Sequence, residues 1–122
     1  MKPLRVLAAL TCLASVFAFA SSPARAADYA PLNCAAVTSP SEQAICDHYG
    51  LGQLEARMAT LYQWATSFVG MGERGNMQDA QRIFLHERAA CGSEVRCLRE
   101  VYEARIERLQ GVMRRVQEKG PF

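Results

Sequence analysis

The strongest limit on this chain is a set of four cysteines, Cys34, Cys46, Cys91 and Cys97, in a stretch of fewer than 100 residues. A domain that small buries a modest fraction of its surface and is marginal without staples. An even number of cysteines in a short exported chain reads as two disulfides. Three pairings are open, and the expected one is Cys34 with Cys46 and Cys91 with Cys97. Each of these pairs is close in sequence and flanks an expected turn. Closing a loop of about 12 residues contributes roughly 3 kcal/mol in the chain-entropy description. Zinc is the rival use of four cysteines, but the two groups lack the close paired spacing of a zinc ribbon, and an oxidising compartment disfavours free thiols.

Export is written in the first 26 residues. Lys2 and Arg5 give a positive start, Val6 to Ala20 is almost wholly apolar, and Ser21-Ser22-Pro23 breaks the run ahead of Ala24-Arg25-Ala26. A charged start, an apolar middle and a small-x-small exit make a secretory signal peptide, with cleavage expected after Ala26. The apolar run is about 15 residues, short of the roughly 20 that span a bilayer. An uncleaved anchor is the alternative, as is a lipoprotein acylated on Cys12, the fifth cysteine. Against the latter, too short an apolar run precedes Cys12, and Thr11 is bulky for the position before a cut. Cleavage removes three of the fourteen basic residues, so eleven face twelve carboxylates and the mature net charge is about −1. No polybasic run survives, which leaves nucleic acid without an electrostatic footprint. No second long apolar stretch exists, so no membrane span is expected after signal removal. The expected location is periplasmic or secreted.

Beyond the signal the periodicity is helical. Residues 27–38 contain Pro31 and no clear period, and read as an extended lead-in tied down by Cys34. The domain proper spans 39–119. Ser39-Pro40-Ser41-Glu42 carries a cap, a proline suited to the first helical position and a capping-box glutamate, which predicts a short helix from about Pro40 to His48. Gly50 and Gly52 predict a bend. Leu51, Leu54, Met58, Leu61, Tyr62, Ala65 and Phe68 recur at three- and four-residue steps, one apolar face of a helix to about Val69. Three glycines between Gly70 and Gly75 predict a loop, with Asn76 capping a third helix on which Ile83 and Phe84 face inward. Gly92 reads as a turn and Ser93 as a cap. The last helix carries Leu98, Val101, Tyr102, Ile106, Leu109, Val112, Met113 and Val116, and Gly120-Pro121 ends it. The fold class is all-α: a small antiparallel helical bundle, three main helices plus a short first one, with two local disulfides.

The side chains make no recognisable active site. His48 and His86 fall in different predicted helices and read as solvated. The serines lie in caps and loops without a nucleophile elbow, and no phosphate-cradling glycine motif is followed by lysine. Trp64, three residues after Leu61 and four before Phe68, reads as core or groove-edge packing. The chain is therefore expected to be no enzyme and to hold no cofactor or metal. Glu55 and Arg88 each lie near the apolar row of their helix and are expected to pair across the two helices at the edge of the core.

Cys34, Ser39-Pro40-Ser41-Glu42, Ile45-Cys46, Leu51, Leu54, Glu55 and Tyr62, followed by Gln81, Phe84-Leu85, Arg88, Cys91, Cys97-Leu98, Tyr102, Arg105-Ile106 and Leu109, make a pattern that resembles the LprI-type lysozyme inhibitor N-terminal domain family. The resemblance covers about Cys34 to Gln110. Glu55 stands where the family usually has Asp, and Phe84 where it has Trp; charge and aromatic character are kept. The resemblance implies an exported helical domain with two local disulfides, and inhibition of a lysozyme-type muralytic enzyme. Such an inhibitor fills a sugar-binding cleft and neutralises its catalytic carboxyls. A clustered acidic patch would suit a basic lysozyme, whereas an apolar groove would suit the second reading, an envelope interaction or structural module without inhibitory activity. Glu73, Arg74 and Asn76 of the glycine-rich segment are the first candidates for partner contact, and Asp47-His48-Tyr49 beside Cys46 the second.

Overall fold

The computed structural model describes residues 31–119, so the expected signal segment, the start of the expected lead-in and the Gly120-Pro121-Phe122 terminus lie outside the described residues. A 3-10 turn at Cys34–Ala36 precedes four helices: α1 (Pro40–Asp47), α2 (Tyr49–Phe68), α3 (Met71–Ala90) and α4 (Val95–Glu118). Among the described residues there is no strand, and no helix is long and apolar enough to cross a membrane.

The start of α1 is the expected capping box. Ser39 Oγ accepts from the Glu42 N–H at 3.2 Å, and Glu42 Oε2 accepts from the N–H groups of Ser39 and Thr38 at 3.3 and 3.1 Å. These bonds satisfy donors that a helix start otherwise leaves to water. The bend after α1 falls at His48 and not at the glycines. His48 has an extended backbone, and its carbonyl already accepts from Leu51 and Gly52, so both Gly50 and Gly52 lie inside α2.

The expected glycine-rich loop is helix instead. Only Val69 and Gly70 separate α2 from α3, and Arg74 N–H donates to the Gly70 carbonyl at 2.9 Å. Asn76 therefore lies inside the helix and caps nothing. Each interior glycine costs about 1 kcal/mol relative to alanine. Three features oppose that cost: Glu73 at the positive end of the helix dipole, the bond from Arg74 Nε to the Thr66 carbonyl at 3.0 Å, and burial of Met77 one turn further on. At the other end of α3, Gly92 has a φ of +53°, the left-handed conformation that glycine enters without steric cost. The cap of α4 is Glu94, one residue beyond the expected Ser93; its carboxylate accepts from Arg96 and Cys97 N–H.

Contacts fix the directions. Thr66 meets Arg74 and Met58 meets Gln81, so α3 runs antiparallel to α2. Arg88 meets Tyr102 and Glu73 meets Arg115, so it also runs antiparallel to α4. The most extensive packing is between α2 and α4; α3 lies against α4, and α1 crosses one end, touching the other three helices. Leu51, Met58, Tyr62 and Ala65 of α2 meet Leu98, Tyr102, Ile106 and Leu109 of α4 in the core. The buried row of α3 is Met77, Gln81, Phe84 and Arg88, half of it polar. Ile83, expected inward, is 57% exposed, because the inward face of α3 is rotated to bring Gln81 and Arg88 to their partners.

Both disulfides form as expected, Cys34–Cys46 with Cα atoms 5.7 Å apart and Cys91–Cys97 with 5.6 Å. That pairing consumes all four thiols a zinc site would have needed.

Candidate functional site

Two constellations of polar side chains stand out, at opposite ends of the bundle. The first is buried under the disulfides. Arg88 of α3 reaches Glu55 of α2 at 3.7 Å and Glu42 of α1 at 3.5 Å. Tyr102 of α4 donates its hydroxyl to Glu55 and receives an N–H from Arg88 at 3.5 Å, while the other Glu55 oxygen accepts from the Leu32 backbone at 3.1 Å. The expected Glu55–Arg88 pair thus exists, deeper than the core edge: the two residues are 5% and 8% exposed. Sequence reasoning missed its extent. Glu42 had been assigned to the cap and Tyr102 to the apolar row, and each does both jobs.

The electrostatics follow from these contacts. Glu42's carboxyl is held below its ordinary range, chiefly by the Thr38 N–H. Burial, then the Glu55 carboxylate, pushes the Tyr102 hydroxyl far above its ordinary value. A tyrosine kept neutral between a carboxylate and a guanidinium is a donor and acceptor that cross-braces three helices.

Halfway along the bundle, Arg105 of α4 is 3% exposed. Its Nε donates to Gln81 Oε1 at 3.0 Å and Nη2 to the Met77 carbonyl at 3.3 Å, and the guanidinium lies 5.9 Å from the centre of the Tyr62 ring. Among the described residues no carboxylate stands within ion-pairing distance of it. Burial is the largest influence on its pKa and lowers it. In the sequence Arg105 is set apart from the other arginines of α4 by its place in the apolar row and in the residue pattern of the resemblance, neither of which shows its neutral partners.

The second constellation is open to solvent, at the end where α2 turns into α3. A hollow of about 280 Å³ is lined by Phe68, Val69, Val112 and Val116, with Arg115 and Lys119 at its polar edge. A second, of about 510 Å³, runs between α3 and α4 and is lined by Arg105, Arg108, Arg114 and Arg115 together with Met77 and Leu109. Glu73 and Arg115 line both hollows, and their side chains pair at 3.6 Å. Next to the first hollow, Trp64 and Phe68 pack as a tilted ring pair with centres 6.2 Å apart, 59% and 43% exposed. Of the two expected places for Trp64, the structure excludes the core and leaves the groove edge, where it packs on the hollow-lining Phe68.

All three contact candidates sit at this end. Glu73 and Asn76 line the α3–α4 groove, while Arg74 turns to the end of α2. They do not converge on one tip, since a helix and not a loop carries them. Asp47, His48 and Tyr49 are exposed at the far end, beside α1. His86 is also exposed. Among the described residues no three His, Cys, Asp or Glu side chains are grouped to hold a metal.

No family model, no curated protein and no solved structure matches the chain. The functional reading therefore rests on this geometry and on the residue pattern.

Proposed function

We propose that the mature chain is an exported protein-binding module, and that its partner is a lysozyme-type muralytic enzyme, which it inhibits. The observation that carries the binding reading is the open end of the bundle. There the Trp64–Phe68 ring pair, an apolar hollow and a row of arginines adjoin one another. Aromatic and arginine side chains are the residue types that anchor protein interfaces. The two disulfides are consistent with an oxidising compartment and agree with the leader-like first 26 residues.

The lysozyme part is narrower and rests on the pattern of residues from Cys34 to Gln110. A guanidinium is the natural group for a cleft that holds two carboxyls, and Arg74 offers one at the start of α3. The same surface favours a second reading, an envelope interaction module without inhibitory activity. The α3–α4 face is arginine-rich and not acidic, so it gives a basic lysozyme no broad electrostatic attraction. A cell-wall lysis assay separates the two readings, run with purified protein starting at Ala27 against several lysozyme types. The expected result is inhibition that weakens when Glu73 and Arg74 are both replaced by alanine. Absence of inhibition of every type at micromolar protein would remove the lysozyme reading and leave the interaction module.

A further inference from the structure

We propose that the groove between α3 and α4 is the docking site for a carboxylate-rich segment of a partner protein. This rests on the protein-binding reading above and gives the partner a chemistry. The first observation is a local charge imbalance. Eleven basic residues face twelve carboxylates after position 26, yet four arginines line this groove against two carboxylates, Glu73 and Glu107. Glu73 and Arg115 engage each other, which leaves three arginines, Arg105, Arg108 and Arg114, against Glu107.

The second observation is the state of those arginines. Arg105 at the floor is buried and hydrogen-bonded to neutral groups, the Gln81 amide oxygen and the Met77 carbonyl, with the Glu87 charge acting on it only from beyond ion-pairing distance. A cation taken out of water is normally paired with an anion. The buried positive charge of Arg105 adds to the field at the groove floor, while the exposed guanidiniums of Arg108 and Arg114 are the groups an incoming carboxylate meets directly. Among the described residues Arg108 and Arg114 also have no carboxylate within ion-pairing distance.

The third is Gly111. A Cβ built there would stand 3.6 Å from Arg114 Nη2 and 3.7 Å from Arg115 Nη1. Two guanidiniums thus fold over a position that has no side chain of its own. Arg115 shares its charge with Glu73, so an incoming anion here meets chiefly the charge of Arg114.

A protein segment fits better than a lone anion. From Arg105 to Arg115 the groove wall rises through ten residue steps of helix, about 15 Å at roughly 1.5 Å per step. Apolar Met77, Leu109 and Val112 lie between the cations. Successive carboxylates with an apolar side chain among them match that alternation.

The test is fluorescence anisotropy with the chain from Ala27 and a labelled twelve-residue peptide, glutamates at every third or fourth place and leucines between. The expected result is saturable binding that falls with added salt. The double variant Arg108→Glu/Arg114→Glu should weaken it at least about tenfold, as loss of paired charge at an interface does. Both side chains are exposed, so the melting temperature should hold. Arg57→Glu/Arg96→Glu, an equal charge change at exposed sites outside the groove, should bind as wild type does. Equal weakening in both double variants, equal binding of a glutamine version of the peptide, or binding of inorganic phosphate with no binding of the peptide would each overturn the proposal. A lysis assay without inhibition leaves this result standing. Inhibition that survives in Arg108→Glu/Arg114→Glu, together with no peptide binding, overturns the groove alone.

Discussion

The two ends of this bundle are held by different physics. At one end, α1 is tied back by Cys34–Cys46, the α3–α4 turn is closed by Cys91–Cys97, and Glu42, Glu55, Arg88 and Tyr102 bind four helices through buried charge and hydrogen bonds. At the other, α2 passes into α3 through two residues, two glycines lie in the first turns of α3, and one half-exposed ion pair, Glu73–Arg115, spans a pair of hollows. Buried polar networks specify one arrangement at the cost of desolvation. Their concentration at one end leaves the other free to present aromatic and cationic side chains. In a small disulfide-stapled domain the staples can be concentrated at one end so that the opposite end is available for contact.

The largest expected effect comes from removing the staples. The two loops, 12 and 6 residues in separation, contribute together about 5 kcal/mol in the chain-entropy description. That is on the order of a small domain's whole stability. Circular dichroism should show cooperative melting of the oxidised protein and its loss on reduction. Replacing Cys34 and Cys46 by serine should cost more than replacing Cys91 and Cys97. The reverse ranking would place the weight on the α3–α4 turn.

Next comes the contrast between two arginines. Arg88→Met strands Glu55 in the core and should cost about 3–5 kcal/mol. Arg115→Met, at the open end, should cost less than about 1 kcal/mol. Adding Glu55→Gln to Arg88→Met should recover part of the loss. Similar melting temperatures for the two single variants would erase the distinction between the ends.

A smaller effect appears at alkaline pH. Tyr102 titrates in the unfolded chain near 10.0 and well above that when folded. Its contribution is thus fully present below pH 10 and is lost as pH rises beyond it. Tyr102→Phe, less stable at neutral pH, should lose less stability above pH 10 than wild type does. An unchanged alkaline slope would put the hydroxyl outside the buried network.

The smallest effect is a gain. A Cβ at Gly72 or Gly75 would meet nothing within 4 Å, so each change to alanine should stabilise by about 0.5–1 kcal/mol. Chemical denaturation would measure it.

The sequence disclosed the helices, the staples and the Glu55–Arg88 pair, because apolar spacing, cap residues and cysteine spacing are local signals. It misread the glycine-rich stretch. Local propensity argued against helix there, while Arg74, Glu73 and Met77 are held by α2, α4 and the core. It turned Ile83 inward because burial was assigned to apolar residues first, whereas Gln81 and Arg88 occupy the inward row of α3. The arginine groove was not legible at all. Arg108, Arg114 and Arg115 carry no signal of their own in the sequence, and their grouping with Arg105 appears only when α3 is laid beside α4.

Native-state hydrogen exchange is the most direct measurement of the division between the two ends, since it reports the opening free energy of each helix segment. The slowest amides should fall around Leu54–Met58, Phe84–Arg88 and Leu98–Arg105, opening only with global unfolding. Amides around Ala65–Phe68, Asn76–Ala80 and Met113–Val116 should exchange through local openings of lower free energy. Equal protection along each helix, or faster exchange beside the disulfides than at the open end, would contradict a molecule anchored at one end and available for binding at the other.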